Sequence, residues 1–252
     1  MSTAMITGPT AGIGLRFAHQ LARRGHDLVL VARDRERLAE VADELRTAYA
    51  VDVEVLPADL ADRAQLQSVA DRLADPERPV DLLVNNAGFG LRGRFLDNDV
   101  EAEQAMLDVL VTAVMRLSHA ALGAMSARGH GGLINVSSVA AYLPRGTYGA
   151  AKAWVTSFGE WAAAEHADSG VRVTTLHPGF TRTEFHERMA VGRGSAPAFM
   201  WLDADDVVSR TLADFDRGRS RSVPGAQYRA VVALTRLVPA RALQAAQSLG
   251  RR

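Results

Sequence analysis

Tyr148 and Lys152 are the two residues whose types and spacing most directly suggest chemistry. Lys152 is the only lysine in the chain, and the other 28 of the 29 basic residues are arginine. A lysine ammonium is compact and its pKa shifts readily, whereas a guanidinium stays charged. Residues four apart in a helix share one face, and a nearby cation lowers a tyrosine pKa. The pair is therefore typical of a general acid–base, although the spacing alone is a weak motif and coincidence is the alternative.

A glycine-rich turn near the N-terminus is the second feature with chemical potential. The segment Thr7-Gly8-Pro9-Thr10-Ala11-Gly12-Ile13-Gly14 follows a predicted strand and precedes a predicted helix. Glycines there permit a tight turn and a close approach of the backbone to a pyrophosphate, whose charge the helix N-terminus attracts. The Gly-x-x-x-Gly-x-Gly spacing differs from the common Gly-x-Gly-x-x-Gly fingerprint. The turn predicts a dinucleotide phosphate site, with an ordinary turn as the alternative.

The elements that would position these residues alternate along the whole chain. Short apolar runs predict strands at 4–7, 27–32, 53–57, 80–84, 133–137 and 171–177, with amphipathic helices between them, and residues 221–224 are a candidate for a short last strand. This alternation indicates an α/β fold, a doubly wound, Rossmann-like parallel sheet of about seven strands with helices on both faces. No linker divides the sequence. We expect a single domain over residues 1–252, with a helical tail at about 226–252.

The composition argues against several classes of protein. Formal net charge is zero, which is unlike a nucleic-acid-binding protein, and the chain has no cysteine for a disulfide, a thiolate metal site or a nucleophile. No apolar run approaches the roughly 20 residues of a membrane span, and the N-terminus lacks a signal-peptide pattern. We expect a cytoplasmic protein with no transmembrane segment, no nucleic-acid partner and no metal.

In combination, the motifs resemble those of the short-chain dehydrogenase/reductase family of compact NAD(P)-dependent oxidoreductases. The glycine turn is similar to the family's cofactor loop. Three further motifs follow predicted strands in the family's order: Asn85-Asn86-Ala87-Gly88, then Ser137-Ser138 with Tyr148-Gly-Ala-Ala-Lys152, then Pro178-Gly179-Phe180-Thr181-Arg182-Thr183. The resemblance covers nearly everything from residue 3 to residue 225, and four ordered motifs are jointly specific.

This resemblance implies a nicotinamide dinucleotide bound at the carboxyl ends of the strands. Asp59 would bind the adenine amino group, with capping of the next helix as its alternative role, and Thr181 and Thr183 would hold the carboxamide. The residues implied to contact the cofactor are Gly8, Thr10, Gly12, Ile13, Gly14, Arg33, Asp59, Leu60, Asn86, Ala87, Gly88, Tyr148, Lys152, Pro178, Gly179, Thr181 and Thr183.

The residue after the second strand bears on which dinucleotide is used. Arg33 follows that strand, and an arginine there accommodates the 2′-phosphate of NADPH, whereas an acid favours NADH. Asp34 comes next, so a shift of one residue would favour the other cofactor, and a solvated basic helix start is the plain alternative. The sequence favours NADPH over NADH.

For catalysis, the resemblance implies that Tyr148 gives its proton to the developing alkoxide and that Lys152 lowers the tyrosine pKa and holds the ribose. Ser138 would hydrogen-bond the carbonyl oxygen, with Ser137 as the runner-up. Two departures stand out. Ser138 precedes Tyr148 by ten residues, about three fewer than usual, and Leu110 replaces an asparagine thought to hold a relay water.

An apolar set of residues would face the substrate, with lid packing as the alternative: Phe89, Tyr142, Leu143, Pro144, Phe185, Phe199, Met200 and Trp201. The main hypothesis is an NADP(H)-dependent enzyme that interconverts an apolar carbonyl and its alcohol, assembled as a homodimer or homotetramer. A catalytically weak NADP(H)-binding sensor or scaffold is the alternative, which Leu110 favours. A nucleotide-sugar epimerase fits poorly because its glycine spacing differs.

Overall fold

Seven parallel strands form one sheet in the order β3-β2-β1-β4-β5-β6-β7. The computed structural model describes residues 2–143, 146–184 and 196–237. The strands are β1 (Thr3–Thr7), β2 (Asp27–Ala32), β3 (Val53–Pro57), β4 (Leu82–Asn85), β5 (Gly131–Val136), β6 (Val171–Leu176) and β7 (Arg221–Ser222). The order reverses between β1 and β4, which is where ligands bind in open α/β sheets. The predicted fold class is confirmed.

Helices cover both faces of the sheet. They are α1 (Gly12–Arg23), α2 (Arg35–Tyr49), α3 (Arg63–Ala74), α4 (Val100–Leu107), α5 (Val114–Arg128), α6 (Gly146–Glu165), α7 (Ala204–Asp216) and α8 (Ala226–Leu237). Apolar side chains of α1, α2 and α7 pack on one face, and those of α3, α5 and α6 pack on the other. Both faces are therefore buried, which explains the continuously apolar strands.

The helix N-termini differ in how they are capped. The carboxylates of Asp34, Asp62 and Asp203 accept backbone hydrogen bonds in the first turns of α2, α3 and α7. Asp62 is thus the N-cap of α3, and the capping role considered for Asp59 is wrong. Helix α1 begins after Ala11, whose side chain makes no cap hydrogen bond. Its first-turn N–H groups therefore suit an acceptor outside the helix.

The helical stretch Val100–Arg128, between β4 and β5, is interrupted by a π-helical segment, Asp108–Ala113, which separates α4 from α5. Such segments are rare and occur frequently at functional sites. Leu110 lies in the middle of this segment and is fully buried. The departure from regular helix therefore falls at the position where the sequence differs from the resembled family.

The run Val100–Arg128 also contains an 18-residue stretch of mean hydropathy 1.5, which by length and composition alone could cross a membrane. This stretch is an exception to the expectation that no apolar run approaches the length of a membrane span. Half of the stretch is buried inside the protein, where α5 packs against β4 and β5. Core helices of α/β proteins have the same character.

Helix α8 forms the first part of the predicted C-terminal tail. It contacts the 3-10 turn Val139–Tyr142, which follows Ser138. The remainder of the tail, 238–252, lies outside the described residues. The described part of the tail therefore packs beside the segment that carries the predicted catalytic serine.

Candidate active site

A cleft of about 220 Å³ opens at the carboxyl edge of the sheet. Most of the predicted site residues line it together: Gly8, Thr10, Gly12, Ile13, Gly14, Asn86, Ala87, Gly88, Ser138, Tyr148, Lys152, Pro178, Gly179, Thr181 and Thr183. Arg33, Asp59 and Leu60 are outside this lining. Gly90, Val136 and Glu184 also line the cleft, although no sequence motif singled them out.

The glycine turn is built so that its backbone can approach a ligand. Gly8 has φ of +67° and Gly12 has φ of +56°, a left-handed conformation that favours glycine. A Cβ at Gly14 would lie 2.1 Å from the carbonyl oxygen of Gly8. These contacts leave no room for side chains, and the turn presents the start of α1 to the cleft. A pyrophosphate fits this arrangement.

Asn86 braces the glycine turn from the end of β4. Its Nδ2 donates to the carbonyl oxygens of Thr7 at 2.9 Å and Gly8 at 3.0 Å. The Thr7 hydroxyl in turn accepts from the N–H groups of Asn86 at 3.0 Å and Ala87 at 2.9 Å. The Asn86 amide is thus used on the protein backbone, so its side chain supports the shape of the cofactor loop.

Ser138 and Tyr148 meet despite the short segment between them. The chain after Ser138 makes a compact 3-10 turn, and the serine side chain hydrogen-bonds the tyrosine phenol. Burial raises the pKa of Tyr148 to about 12, while the Ser138 hydrogen bond acts in the opposite direction. The short spacing between Ser138 and Tyr148 therefore does not prevent the serine from reaching the phenol.

Ser137, the runner-up, is engaged elsewhere. It is buried, and its Oγ donates to the backbone oxygen of Lys152 at 2.8 Å and lies 2.8 Å from the Thr156 hydroxyl. These contacts fasten β5 to α6. Of the two serines, Ser138 is the one placed against the tyrosine.

Lys152 is buried in the wall of the cleft. Its Nζ donates to the Val136 carbonyl oxygen at 2.7 Å and lies 5.8 Å from the centroid of the Tyr148 ring. Burial lowers the pKa of Lys152 to about 8. The expectation of a lowered tyrosine pKa is wrong, because desolvation of the phenol dominates and raises that pKa.

Leu110 fills the space beside the lysine where the resembled family has an asparagine. A Cβ at Gly88 would lie 2.7 Å from Leu110 Cδ2 and 3.9 Å from Lys152 Nζ. Leu110 packs with Met106 and Ala151, and Tyr148 packs against the same cluster. An apolar side chain therefore occupies the position next to the reactive pair.

The residues predicted at the adenosine end of the cofactor, Arg33, Asp59 and Leu60, do not line the cleft. Arg33 has a 74% exposed side chain, and its Nη1 lies 3.9 Å from Asp59 Oδ2. Asp34 Oδ1 accepts from the N–H of Arg37 at 3.0 Å as the cap of α2. Asp34, which could have favoured NADH, is thus used as the cap of α2, whereas the Arg33 side chain is exposed.

The other two residues at this end are held by local packing. The Asp59 Oδ1 accepts from the N–H of Ala61 at 3.0 Å, and the Asp59 N–H donates to Gln65 Oε1 at 2.8 Å. Leu60 is 6% exposed and packs in the core. Its side chain therefore faces the protein interior.

The residues predicted to face the substrate do not all line the cleft. Phe89 lines the cleft. Trp201 packs against Phe180, with ring centroids 5.3 Å apart, and Phe199 is 70% exposed. Tyr142 packs against His177, with centroids 5.3 Å apart. Pro144 and Phe185 lie outside the described residues.

Comparison with known proteins identifies the class to which this fold and site belong. Residues 2–192 match the short chain dehydrogenase family. A short-chain dehydrogenase from Sphingobium yanoikuyae, solved in complex with NADPH, is 34% identical and superposes with a TM-score of 0.86, covering 94% of both chains. The chain therefore belongs to the short-chain dehydrogenase/reductase family and is an oxidoreductase of that family.

Two further relatives are named for their activities. The bulky-bulky ketone specific alcohol dehydrogenase from Comamonas testosteroni is 30% identical, with a TM-score of 0.82 over 94% of this chain and 92% of its own. Sulfoacetaldehyde reductase 2 from Chromohalobacter salexigens is 34% identical over 215 residues, which are 83% of this chain and 84% of the relative. Both names describe carbonyl–alcohol chemistry, on substrates of very different polarity.

Proposed function

We propose that this protein is a cytoplasmic NADP(H)-dependent oxidoreductase that interconverts an apolar ketone or aldehyde and its alcohol. The observation that carries the proposal is the meeting of Ser138, Tyr148 and Lys152 in one cleft with the glycine turn. The phenol of Tyr148, the hydroxyl of Ser138 and the ammonium of Lys152 thus border the position proposed for the nicotinamide end of the cofactor. Carbonyl reduction needs this combination.

The residues divide the chemistry between them. When bound, the nicotinamide supplies or accepts the hydride. Tyr148 Oη gives its proton to the carbonyl oxygen as that oxygen gains charge, and Ser138 Oγ donates a hydrogen bond to the same oxygen. Lys152 holds the ribose hydroxyls and stabilises the phenolate that Tyr148 leaves. A raised phenol pKa keeps Tyr148 protonated at neutral pH, which suits the reducing direction.

The preference for NADP(H) is supported at the end of β2. Arg33 is exposed and can turn its planar fork towards a 2′-phosphate. Asp34, which could have selected an unphosphorylated ribose, caps α2 instead. The Sphingobium relative binds NADPH. These observations favour the phosphorylated cofactor.

The charges of the cleft support an apolar substrate. Among the described residues that line it, the charged side chains are Lys152 and Glu184. Lys152 is engaged by Val136 and by the proposed ribose contact. Phe89 and Leu110 line the same cleft with apolar side chains. An apolar ketone therefore fits better than a sulfonate, and the Comamonas relative is specific for bulky-bulky ketones.

We extend the proposal to self-association through α5 and α6, as a homodimer or a homotetramer. Trp154, Phe158 and Trp161 form a stack along α6, with successive centroids 5.0 and 5.7 Å apart. Trp161 is 53% exposed, and Met115 on α5 is 45% exposed. Aromatic and methionine side chains are enriched in interfaces. Trp161→Glu should lower the mass measured by light scattering. An unchanged oligomeric mass would contradict self-association through this face.

The test of the enzyme is a panel of carbonyl compounds assayed with NADPH and NADH. Bulky aryl ketones should be reduced with NADPH, and sulfoacetaldehyde should be a poor substrate. Tyr148→Phe keeps the ring but removes the proton, so kcat should fall by about 10²–10⁴-fold, while NADPH binding by fluorescence stays. Near-normal turnover in that variant would overturn the role of Tyr148.

A catalytically weak NADP(H)-binding sensor or scaffold is the second candidate. The observation that favours it is Leu110, which places an apolar group beside Lys152. A sensor would bind NADPH with high affinity and reduce nothing in the panel. Measuring binding and turnover on the same preparation separates the two functions.

A further inference from the structure

We propose that Tyr228, in the C-terminal helix α8, is a positioning residue that sets the backbone segment Gly179–Thr181 at the nicotinamide end of the cleft. This inference rests on the proposed function, because it concerns the binding of the reactive half of the dinucleotide. Tyr228 does not line the cleft and would act through the backbone that does.

The hydroxyl of Tyr228 joins two separate stretches of chain. It accepts a hydrogen bond from the N–H of Phe180 at 2.8 Å and donates one to the carbonyl oxygen of Met200 at 2.6 Å. The residue is 2% exposed. A buried hydroxyl that makes both contacts fixes the spacing of the two stretches, since either backbone group would be costly to leave without a partner.

The ring of Tyr228 fits against Gly179 in a way that requires glycine. A Cβ at Gly179 would lie 1.9 Å from the Cζ of the ring. Gly179 lines the cleft, so the ring supports the lining from behind. This glycine therefore gives the tail helix direct contact with the wall of the site.

Further hydrogen bonds connect the segment that Tyr228 supports to the site residues. The Thr181 hydroxyl donates to the Gly179 carbonyl oxygen at 3.1 Å, and the Pro178 carbonyl accepts from the N–H of Val139, next to Ser138, at 3.1 Å. On the other side, the Leu202 N–H donates to the Phe180 oxygen at 2.8 Å. A shift of residues 178–181 would move Thr181 and the turn after Ser138 together.

The expected consequence is confined to the nicotinamide half of the cofactor. The glycine turn and Arg33 lie at the phosphate and adenosine half, whereas the hydrogen bonds of the Tyr228 hydroxyl go to Phe180 and Met200. Hydride transfer is sensitive to geometry, and a displacement of about 1 Å can cost on the order of 10²-fold in rate. Loss of the hydroxyl should thus change nicotinamide binding and turnover while leaving adenosine binding intact.

The test compares Tyr228→Phe with Tyr49→Phe by titration calorimetry. Tyr49 is the matched control, because its hydroxyl contacts His19 at 3.3 Å and does not line the cleft. Each protein is titrated with NADP⁺ and with 2′-phospho-ADP-ribose, which lacks the nicotinamide. We expect Tyr228→Phe to weaken NADP⁺ at least threefold and the fragment less than twofold, and Tyr49→Phe to change neither.

A purely structural role gives a different pattern. If Tyr228→Phe lowers the melting temperature and weakens both ligands alike, or weakens neither, the inference is overturned. Because the calorimetric comparison needs no turnover, it decides the role of Tyr228 even if the wild type reduces none of the carbonyl panel. Where turnover is present, kcat should fall at least tenfold in Tyr228→Phe and stay unchanged in Tyr49→Phe.

Discussion

Lys152 and Val136 are joined by a 2.7 Å hydrogen bond from the ammonium to the backbone carbonyl at the end of β5. A main-chain oxygen thus fixes the only lysine of the chain beside the Tyr148 ring. The bond lies in a buried setting, where the charged form of the lysine loses hydration. The position of the ammonium and its low pKa therefore have one cause, its burial against the strand.

The first prediction is a pH-dependent stability that arises from Lys152. Its pKa is about 8 in the folded protein against an ordinary 10.5. Between these values the unfolded chain binds one more proton than the folded protein, so the free energy of unfolding rises with pH. From pH 7.5 to pH 9.5 this contribution is about 2 kcal/mol. Urea denaturation at several pH values measures it.

Lys152→Met is the control for that measurement, since it removes the titrating group and keeps an unbranched side chain. The difference between wild type and variant isolates the lysine from other titrating groups. Parallel pH profiles for the two proteins would mean that the ammonium is hydrated, contrary to the structure.

The second prediction concerns Arg33 and the choice of cofactor. Removing a charge-assisted phosphate contact costs about 1.5–3 kcal/mol, on the order of ten- to a hundredfold in affinity. Arg33→Ala should therefore weaken NADPH by that factor and leave NADH nearly unchanged. Fluorescence titration with both cofactors measures the effect.

Arg37→Ala is the matched control for Arg33, because Arg37 lies on the same segment and is paired with Glu40 at 2.7 Å. It should have a much smaller effect on NADPH. Equal losses in the two variants would indicate a general effect of positive charge, and a wild type that prefers NADH would refute the assignment.

Much of the fold was predictable from the sequence because its signals are local. Apolar runs marked the first six strands, and two of them, β2 and β3, have the predicted boundaries. The π-helical segment was not predictable, since Asp108–Ala113 has the composition of ordinary helix. Its geometry depends on how the long helix packs against the sheet, and no residue type signals that.

The site was predictable as a set of motifs but not in its electrostatics. The pKa of Tyr148 depends on burial, which no spacing reveals. Tyr228 lies in a tail without a motif, and its role depends on a contact with Gly179, which is 49 residues earlier. Such long-range contacts leave no periodic trace in the sequence.

The third prediction separates the adjacent serines. Ser138→Ala should lower kcat on any ketone that is reduced, because the hydrogen bond to the carbonyl oxygen is lost. It should also cost about 0.5–2 kcal/mol of stability, because Ser138 Oγ accepts from the Ala140 N–H as the cap of the 3-10 turn. Ser137→Ala should leave kcat nearly unchanged and lower the free energy of unfolding by about 0.5–1.5 kcal/mol, because its hydrogen bonds are lost while the Thr156 hydroxyl still donates to the Lys152 carbonyl. Steady-state kinetics on both variants make the comparison, with chemical denaturation to show that both are folded. A larger fall in kcat for Ser137→Ala than for Ser138→Ala would assign the role to Ser137.

The fourth prediction concerns Leu110 and decides between an enzyme and a binder. In the resembled family, a relay water is held largely by a backbone carbonyl at a kink in the long helix. Here a π-helical segment surrounds Leu110, and such a segment changes which carbonyls are paired without help from an asparagine. We expect the wild type to reduce carbonyls, and Leu110→Asn to change kcat by no more than roughly tenfold, about 1.4 kcal/mol of barrier.

Leu110→Met is the control for this substitution, because it keeps an apolar side chain of similar volume and should cost less than about 1.5 kcal/mol of stability. Leu110→Asn buries an amide at a fully buried position, so it should cost about 1–3 kcal/mol unless the amide finds a partner. Steady-state kcat is measured for the three proteins under conditions in which all three are folded, and it decides between an enzyme and a nucleotide binder. If the wild type binds NADPH yet reduces nothing, and Leu110→Asn alone switches on turnover, then the leucine has closed the proton path and the natural protein is a nucleotide binder.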